Sequence, residues 1–376
     1  MKTFFLLLLL SFLQLTMTTC SSAPLDSNAV IRGSWEYYKR TFMVEGRVIR
    51  PKNNRDTVSE GESYAMLRAV LMDDRKTFDE CLAWTESNLS RKTSLGDHLL
   101  AWHFENGRIS DTTAASDADI DYAFCLILAS RKWNNARYLE LAREVLQSIL
   151  DHETVEINGR LYLLPATEMA PSPNGFIAQN PSYYAPSSFK IFYEVSNDRR
   201  WLRLADTAYN LIKRLQKPHG GSDTNGLVPD WCALDENGEI QSLPEKSELF
   251  GWDALRVPLR MMADYYLNGD HRALEVLHRF SRFFENEFNQ NGRIISEYSC
   301  ENATGKPYEN TLFYTAAYAA TEAAGSSAAS SILQRQRDFI HQSDNEYYYG
   351  DADDYYVNSL AWLVEYYQIN KTSNEQ

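Results

Sequence analysis

The sequence contains three short segments whose carboxylates could perform acid–base chemistry. The first begins at Ser59 and places two glutamates, Glu60 and Glu62, on either side of a glycine. Ser59 followed three residues later by Glu62 matches a capping box, which predicts a helix start and gives Glu62 a structural role. Glu60 has no such role. It could project into a cleft as a functional acid, or it could complement the positive end of the helix dipole.

The second segment concentrates aspartates at another predicted helix start. Asp117, Asp119 and Asp121 lie within five residues, directly after Ser116. One capping residue suffices for a helix, so Ser116 or Asp117 can do that work and leave the other carboxylates unexplained. The spacing lacks the glycine and the final glutamate of a calcium-binding loop, which argues against calcium. We interpret Asp117 and Asp119 as a cluster that hydrogen-bonds sugar hydroxyls.

The third segment pairs a carboxylate with a guanidinium. Asp253 and Arg256 are three residues apart, so they meet on one face of a helical turn. A surface ion pair is one explanation. The apolar residues that frame the turn, Phe250, Trp252 and Val257, favour a functional carboxylate instead.

Other chemistries find little support in the motifs. The seven histidines are scattered, and neither H-E-x-x-H nor G-x-S-x-G occurs. The phosphate-binding patterns G-x-x-x-x-G-K and G-x-G-x-x-G are absent as well. We therefore predict no metal site and no cofactor.

A helical period dominates the chain that must position these segments. Apolar residues recur at i, i+3, i+4 and i+7 in eleven stretches, namely 64–71, 78–89, 120–128, 138–149, 187–195, 201–215, 255–267, 273–288, 311–324, 328–340 and 355–367. No linker divides them, and no run of alternating residues is long enough to build a sheet. A single all-α domain of paired helices over 24–370 follows. It is an α-solenoid or a closed barrel, and the lack of a fixed repeat favours the barrel.

The connections between these helices hold the unusual residues. Four of them are rich in Trp, Tyr, Asn, Asp, Gly and Pro: 97–119, 162–186, 219–254 and 341–354. Loops carry binding and catalytic residues more often than the elements they join, so we expect the functional site there.

Composition narrows the class of protein. The 376 residues are 44% hydrophobic and 13% aromatic, which excludes a disordered chain. A formal net charge of −14 repels phosphate, so nucleic acid and anionic membranes are not expected partners. We expect a monomer.

The first 22 residues resemble a secretory signal peptide. One lysine precedes an apolar run over 4–13 that is too short to span a bilayer, and small polar residues follow. We therefore expect a secreted, periplasmic or cell-envelope protein. Cys20 is a candidate lipid anchor, although the residues before it match a lipobox poorly.

Four cysteines follow the predicted signal peptide. Cys81 and Cys125 lie in apolar helical patterns, where a thiol acts as a small core side chain. Cys232 and Cys300 complete the set, and the spacing leaves one or two disulfides open.

Five blocks of the sequence resemble, in order, the signature blocks of glycoside hydrolase family 8. They are S-E-G at 59–61, L-A-W-H at 100–103, A-S-D-A-D at 115–119, N-P-S-Y at 180–183 and W-D-A-L-R-V-P at 252–258. The resemblance implies an (α/α)6 barrel with an open acidic cleft for β-1,4-linked glycans and an inverting mechanism. It makes Glu60 the general acid and Asp253 the general base, followed by Arg256.

The resemblance also assigns substrate contacts. Asp117 and Asp119 would contact the sugar at the cleavage point, and Tyr183 would lie near the attacking water. Flat aromatic faces on which sugar rings can stack are supplied by Trp102 and Trp252, together with Trp231, Tyr183 and Tyr184.

The substrate follows from finer likenesses. The chain length, W-x-x-Y-K at 35–39 and G-R-V-I at 46–49 resemble endoglucanases of bacterial cellulose or exopolysaccharide synthesis. We predict an exported endo-β-1,4-glucanase acting on a cellulose-like polysaccharide. The alternatives are a hydrolase of xylan or of an amino-sugar β-1,4 polymer and, in a different class, a non-catalytic glycan-binding α/α-barrel protein.

Overall fold

The fold was analysed in a computed structural model, which describes residues 25–167, 169, 175–216, 225–243 and 245–374. The predicted signal peptide at 1–22 and the candidate lipid anchor Cys20 lie outside the described residues. Within the described part of the chain, no helix is both long enough and apolar enough to cross a membrane.

Helices make up most of the described chain. Fourteen α-helices are found among these residues: α1 (Ser27–Phe42), α2 (Ser59–Leu71), α3 (Arg75–Asn88), α4 (Lys92–Leu95), α5 (Ser116–Trp133), α6 (Ala136–His152), α7 (Pro186–Ser196), α8 (Arg200–Leu215), α9 (Arg256–Asn268), α10 (His271–Asn291), α11 (Thr311–Ala323), α12 (Ala329–Arg337), α13 (Tyr355–Leu360) and α14 (Leu363–Asn374). A short 3-10 turn covers Pro181–Tyr183. The periodicity predicted every long helix except α1.

The helices form a closed double ring. The inner ring is α2, α5, α7, α9, α11 and then α13 with α14, where each helix packs against the next and α13 returns to α2. The outer ring consists of α1, α3, α6, α8, α10 and α12, each packed against inner helices. This arrangement is the predicted (α/α)6 barrel, and an open helical array is ruled out.

The sequence explains which helices lie inside. Every residue of α11 from Thr311 to Thr321 is buried, because Ala, Tyr, Phe and Leu occupy all its sides. Outer helix α8 instead buries one stripe that includes Trp201, Leu204, Ala208 and Leu215, spaced for a single face.

Short strands in the connections were not predicted. They are β1 (Met43–Val44), β2 (Arg47–Val48), β3 (Thr57–Val58), β4 (Ala101–Glu105), β5 (Arg108–Ala114), β6 (Thr154–Ile157), β7 (Arg160–Leu163), β8 (Ile177–Gln179), β9 (Cys232–Leu234), β10 (Ile240–Gln241), β11 (Leu249–Phe250), β12 (Tyr298–Ser299), β13 (Ile340–Ser343) and β14 (Glu346–Tyr349). They pair antiparallel in the orders β1-β2, β3-β4-β5, β6-β7, β8-β9-β10, β11-β12 and β13-β14. The expectation of no sheet is therefore wrong in detail, because most of these strands have only two to four residues and β5, the longest, is mostly polar and shows no apolar alternation.

These strands deliver the three carboxylate segments to the barrel. β3 runs directly into α2, β5 ends just before α5, and β11 leads into the turn before α9. All three helices belong to the inner ring. The carboxylate segments lie at the starts of α2 and α5 and, for Asp253, in the turn just before α9. The predicted core thiols also agree with the fold, since Cys81 and Cys125 are fully buried, and the four described cysteines are free.

Candidate active site

Arg256, the first residue of α9, lies at the centre of the candidate site. Its side chain is only 3% exposed. Nη1 donates to Asp117 Oδ2 at 2.8 Å and to the Tyr64 hydroxyl at 3.1 Å. Nη2 donates to Asp253 Oδ1 at 2.8 Å and to Ser182 Oγ at 2.9 Å. One guanidinium therefore joins residues from α2, α5, the 3-10 turn and the turn before α9.

Glu60 faces the same guanidinium from α2. Its Oε2 is 3.6 Å from Arg256 Nη1, and its Oε1 accepts a 3.3 Å hydrogen bond from the Tyr355 hydroxyl. A Cβ on Gly61 would lie 2.9 Å from that hydroxyl, so the glycine permits the approach of Tyr355. Burial and the charge of Asp117 raise the pKa of Glu60 to about 7, with Arg256 opposing the shift.

A pocket of about 220 Å³ opens beside Glu60. Its lining includes Lys52, Asp353 and Tyr355, and Lys52 pairs with Asp353 across the pocket wall at 3.0 Å. The side chain of Glu60 keeps 26% of its surface exposed. Glu60 therefore lies at the wall of a pocket as well as in the first turn of α2, where an acid complements the helix dipole.

Asp253 lies on the other side of the Arg256 guanidinium. One carboxylate oxygen accepts from Arg256, and the other accepts from Trp231 Nε1 at 2.9 Å. The side chain is 32% exposed, so a small molecule such as water can reach it. The ion pair that the sequence predicted is present, but Arg256 is buried and shared with other carboxylates, unlike a surface pair.

Asp117 belongs to this cluster, and Asp119 does not. The carboxylate of Asp117 accepts from Arg256 and from the Ala118 amide, and burial raises its pKa while Arg256 opposes the shift. Asp119 is fully buried, and its Oδ1 accepts from the Leu100 amide at 2.9 Å. Burial raises the pKa of Asp119 well above its usual range. Burial raises the pKa of the neighbouring acid Glu153 in the same way.

The capping box predicted at the start of α2 is wrong. No side chain caps this helix, and Ser59 is buried. Glu62 is fully buried, where it accepts from the Val48 amide at 2.7 Å, from Cys81 Sγ at 2.9 Å and from Thr85 Oγ1 at 3.3 Å. Burial raises the pKa of Glu62 to about 8. Glu62 is structural, as predicted, but it joins three segments rather than closing a helix end.

Two tyrosines that are neighbours in sequence have different environments. Tyr183 lies against the cluster, with its ring centroid 5.2 Å from the Arg256 guanidinium carbon and 6.0 Å from the Trp231 ring. Tyr184 is buried in the core, where its hydroxyl donates to Gln179 Oε1. The interpretation of Tyr184 as a stacking face is therefore wrong.

Besides Trp231, two tryptophans were predicted to stack on sugar rings, Trp252 and Trp102. Trp252 precedes Asp253 directly, packs edge-on against Phe313 and accepts a hydrogen bond from the Tyr356 hydroxyl at its backbone oxygen. Trp102 lies on β4 with its ring stacked on His103 at 4.8 Å. Both rings are partly exposed.

Sequence reasoning missed Asp230. This buried aspartate accepts hydrogen bonds from the Gly251, Asp253 and Ala254 amides, and so holds the turn that carries Asp253. It precedes Trp231, which was singled out as an aromatic face, within a loop rich in unusual residues. A buried loop carboxylate gives no periodic pattern, so its partners were visible only in three dimensions.

The chain matches one family model along nearly its full length. The model of "Glycosyl hydrolases family 8" matches residues 9–370. Among curated proteins, Endoglucanase A of Acetivibrio thermocellus is 28% identical over 365 residues, covering 93% of this chain and 71% of the relative. The Endoglucanase of Escherichia coli K12 is 31% identical over 256 residues, covering 66% of each.

Solved structures with the same fold include two glucanases. The endo-1,4-D-glucanase from Vibrio fischeri superposes with a TM-score of 0.76 at 24% identity, covering 89% of this chain and 94% of its own. The endo-β-1,4-glucanase CMCax from Acetobacter xylinum superposes with a TM-score of 0.73 at 22% identity, covering 92% and 99%. At these identities, the two superpositions show that the chains share the barrel fold.

Proposed function

The chain belongs to glycosyl hydrolases family 8, and on this premise we propose that it is an endo-acting hydrolase of β-1,4-linked glucan that inverts the anomeric centre. Support for the substrate comes from relatives that are named endoglucanases. The same proposal includes export directed by residues 1–22, since a polymer substrate does not cross membranes.

The observation that carries the mechanism is the shared guanidinium. Glu60 Oε2 is 3.6 Å from Arg256 Nη1, and Asp253 Oδ1 is 2.8 Å from Nη2 of the same guanidinium. This geometry is compatible with the separation of roughly 6.5–9.5 Å that an inverting pair needs to hold a water and a sugar. A retaining pair is closer, at roughly 5–5.5 Å.

In the proposed reaction, Glu60 is the general acid and Asp253 is the general base. Glu60 donates its proton to the glycosidic oxygen as the bond from that oxygen to C1 breaks. A water attacks C1 from the opposite face, and Asp253 accepts the proton that this water loses. The next water must return a proton to Glu60 and remove one from Asp253 before another turnover.

The electrostatics suit this division of roles. Burial and Asp117 keep a proton on Glu60 up to a pH of about 7, which is required of an acid. Asp253 instead receives hydrogen bonds from Arg256 and Trp231, so a donor holds each of its two carboxylate oxygens.

We further propose that Asp117, rather than Asp119, contacts the sugar at the cleavage point. Asp117 shares Arg256 with both reacting carboxylates, whereas Asp119 is turned toward Leu100 in the core. Tyr183 lies against Arg256 on the side of Asp253 and Trp231, which suits a residue next to the attacking water.

Product analysis tests the substrate. Soluble cellulose derivatives should lose viscosity before much reducing sugar appears, because an endo enzyme cuts within the chain. Xylan, mixed-linkage glucan and an amino-sugar β-1,4 polymer should be cleaved more slowly. The Asp253→Asn variant should be inactive on all four while still binding cello-oligosaccharides, since the base acts on water. Faster cleavage of xylan or of the amino-sugar polymer would contradict the glucan assignment.

A further inference from the structure

The turn that carries Asp253 is held by a single buried carboxylate. Asp230 Oδ1 accepts from the amides of Gly251, Asp253 and Ala254 at 3.1, 2.9 and 2.7 Å. Its Oδ2 accepts from Ser247 Oγ at 2.7 Å. Three amide donors from four successive residues on one oxygen leave this turn little freedom to shift, and Asp253 is part of it.

The close approach of this carboxylate requires a glycine. A Cβ on Gly251 would lie 2.3 Å from Asp230 Oδ2, a distance that no real side chain adopts. The backbone of Gly251 therefore packs directly against the carboxylate. Asp230 and the turn around Asp253 thus fit as one unit.

Trp231, the residue after Asp230, contacts the side-chain carboxylate of Asp253. Trp231 Nε1 donates a hydrogen bond to Asp253 Oδ2 at 2.9 Å, while Arg256 Nη2 donates to Oδ1. The Trp231 ring is fixed in turn by Tyr183 at 6.0 Å and by the Lys246 ammonium at 4.8 Å from its centroid. An indole donates only through this N–H, so the contact sets the rotation of the carboxylate.

We propose that Asp230 and Trp231 form a positioning pair for the base, in which Asp230 fixes the backbone of Asp253 and Trp231 orients its carboxylate toward the attacking water. The inference rests on the proposed role of Asp253. It assigns no direct contact with the substrate to Asp230. Reaction rates fall steeply with misplacement, since a shift of about 1 Å can cost about 100-fold.

Several charged and titratable groups face Asp253. Arg256 donates to it, and the acids Glu60, Asp117 and Asp230 surround it. The hydroxyls of Tyr183 and Tyr356 complete this set. Among the described residues, only Trp231 contributes a neutral hydrogen-bond donor to the carboxylate, so its removal changes one contact without changing the charge.

The Trp231→Phe variant tests the orienting contact, because it keeps the aromatic packing and removes the N–H. Losing this donor frees the Asp253 carboxylate to rotate away from the attacking water, so kcat should fall about tenfold. KM for cello-oligosaccharides should change less than threefold. The matched control is Trp133→Phe, which removes a 2.8 Å hydrogen bond from Trp133 Nε1 to Asp73 at the opposite end of α5 from Asp117. It should leave kcat unchanged.

Asp230 offers a conservative variant as a second test. Asp230→Asn keeps an oxygen for the three amides and can donate to Ser247, so kcat should stay within about threefold. Asp230→Ala removes the acceptor, and kcat should fall about 100-fold at nearly constant KM. If Asp230→Ala does not fold, Trp231→Phe still decides the inference.

The outcomes separate this inference from the proposed function. An active Asp253→Asn variant would refute Asp253 as the base, whatever Trp231→Phe does. An inactive Asp253→Asn variant together with an unchanged kcat in Trp231→Phe would leave the base intact and overturn the positioning pair. The same holds if Trp231→Phe and Trp133→Phe lose only thermal stability, since that is the behaviour of structural hydrogen bonds.

Discussion

The starts of α2 and α5 each carry two acids two residues apart, and in each pair one acid faces Arg256 while the other faces the core. Glu60 and Asp117 meet Arg256, whereas Glu62 and Asp119 are fully buried. A helix turns about 100° per residue, so a spacing of two places side chains on nearly opposite sides. Acidic composition alone therefore does not identify the functional carboxylates.

The two groups also differ in how their charge is accommodated. Arg256 lies beside Glu60 and Asp117, and its charge opposes the rise that burial causes in the pKa of both acids. Glu62 accepts only from neutral donors, and burial raises its pKa to about 8. Arg256 therefore opposes the protonation of the two acids beside it, while Glu62 has no charged hydrogen-bond donor and burial favours its protonated form.

The largest expected effect distinguishes the two glutamates of α2. Glu60→Gln should lose about 10³-fold or more in kcat on an unactivated polysaccharide, because an amide cannot donate the proton. Glu62→Gln should keep kcat within about threefold, because it is isosteric and lies away from Arg256. Steady-state rates of both folded variants are the measurement. Activity of Glu60→Gln within tenfold of wild type would remove Glu60 as the acid.

A smaller contrast is expected for the two aspartates of α5. Asp117→Ala should lower kcat by about 100-fold and weaken ground-state binding less, since its contacts to the sugar strengthen in the transition state. Asp119→Ala should lower the melting temperature and leave the specific activity of the folded fraction near normal. Two destabilised but fully active variants would contradict a sugar contact by this cluster.

The smallest effect concerns stability and pH at Glu62. Its pKa is about 8 in the folded protein against an ordinary value of 4.5, so between these values the folded state holds a proton that the unfolded chain has released. The contribution of Glu62 to stability is present at low pH and is lost as the pH rises toward 8. Glu62→Gln does not titrate and should flatten this decline in thermal melts from pH 5 to pH 8.

A matched control for that experiment lies on α3. Glu80→Gln changes an exposed glutamate and should leave the slope of melting temperature against pH unchanged. Equal slopes for wild type and Glu62→Gln would show that Glu62 does not hold a proton in the folded protein.

The sequence was most informative where a pattern is long or a block is complete. Apolar periods predicted the long helices after α1, and the blocks around Glu60, Asp117 and Asp253 predicted segments that meet at Arg256. Local spacing was misleading at Ser59 and Glu62, where burial and three distant partners replace the predicted cap.

What the sequence left out depends on contacts between distant segments. Asp230 holds amides more than twenty residues away, and the packing partner of Asp119 is Glu153. Tyr183 and Tyr184 are adjacent and chemically identical, yet one lies in the cluster and the other in the core. The direction in which a loop side chain points is set by tertiary packing, which leaves no local pattern.

The stereochemistry of the first product tests the pairing of Glu60 as acid with Asp253 as base most directly. Proton NMR can follow the anomeric signals in the first minutes of cello-oligosaccharide hydrolysis, before mutarotation. A base that activates water across the sugar from the acid must invert the β-linkage, so the α-anomer should accumulate first. Initial accumulation of the β-anomer would show retention and would contradict the account, because Asp253 would then act as a nucleophile.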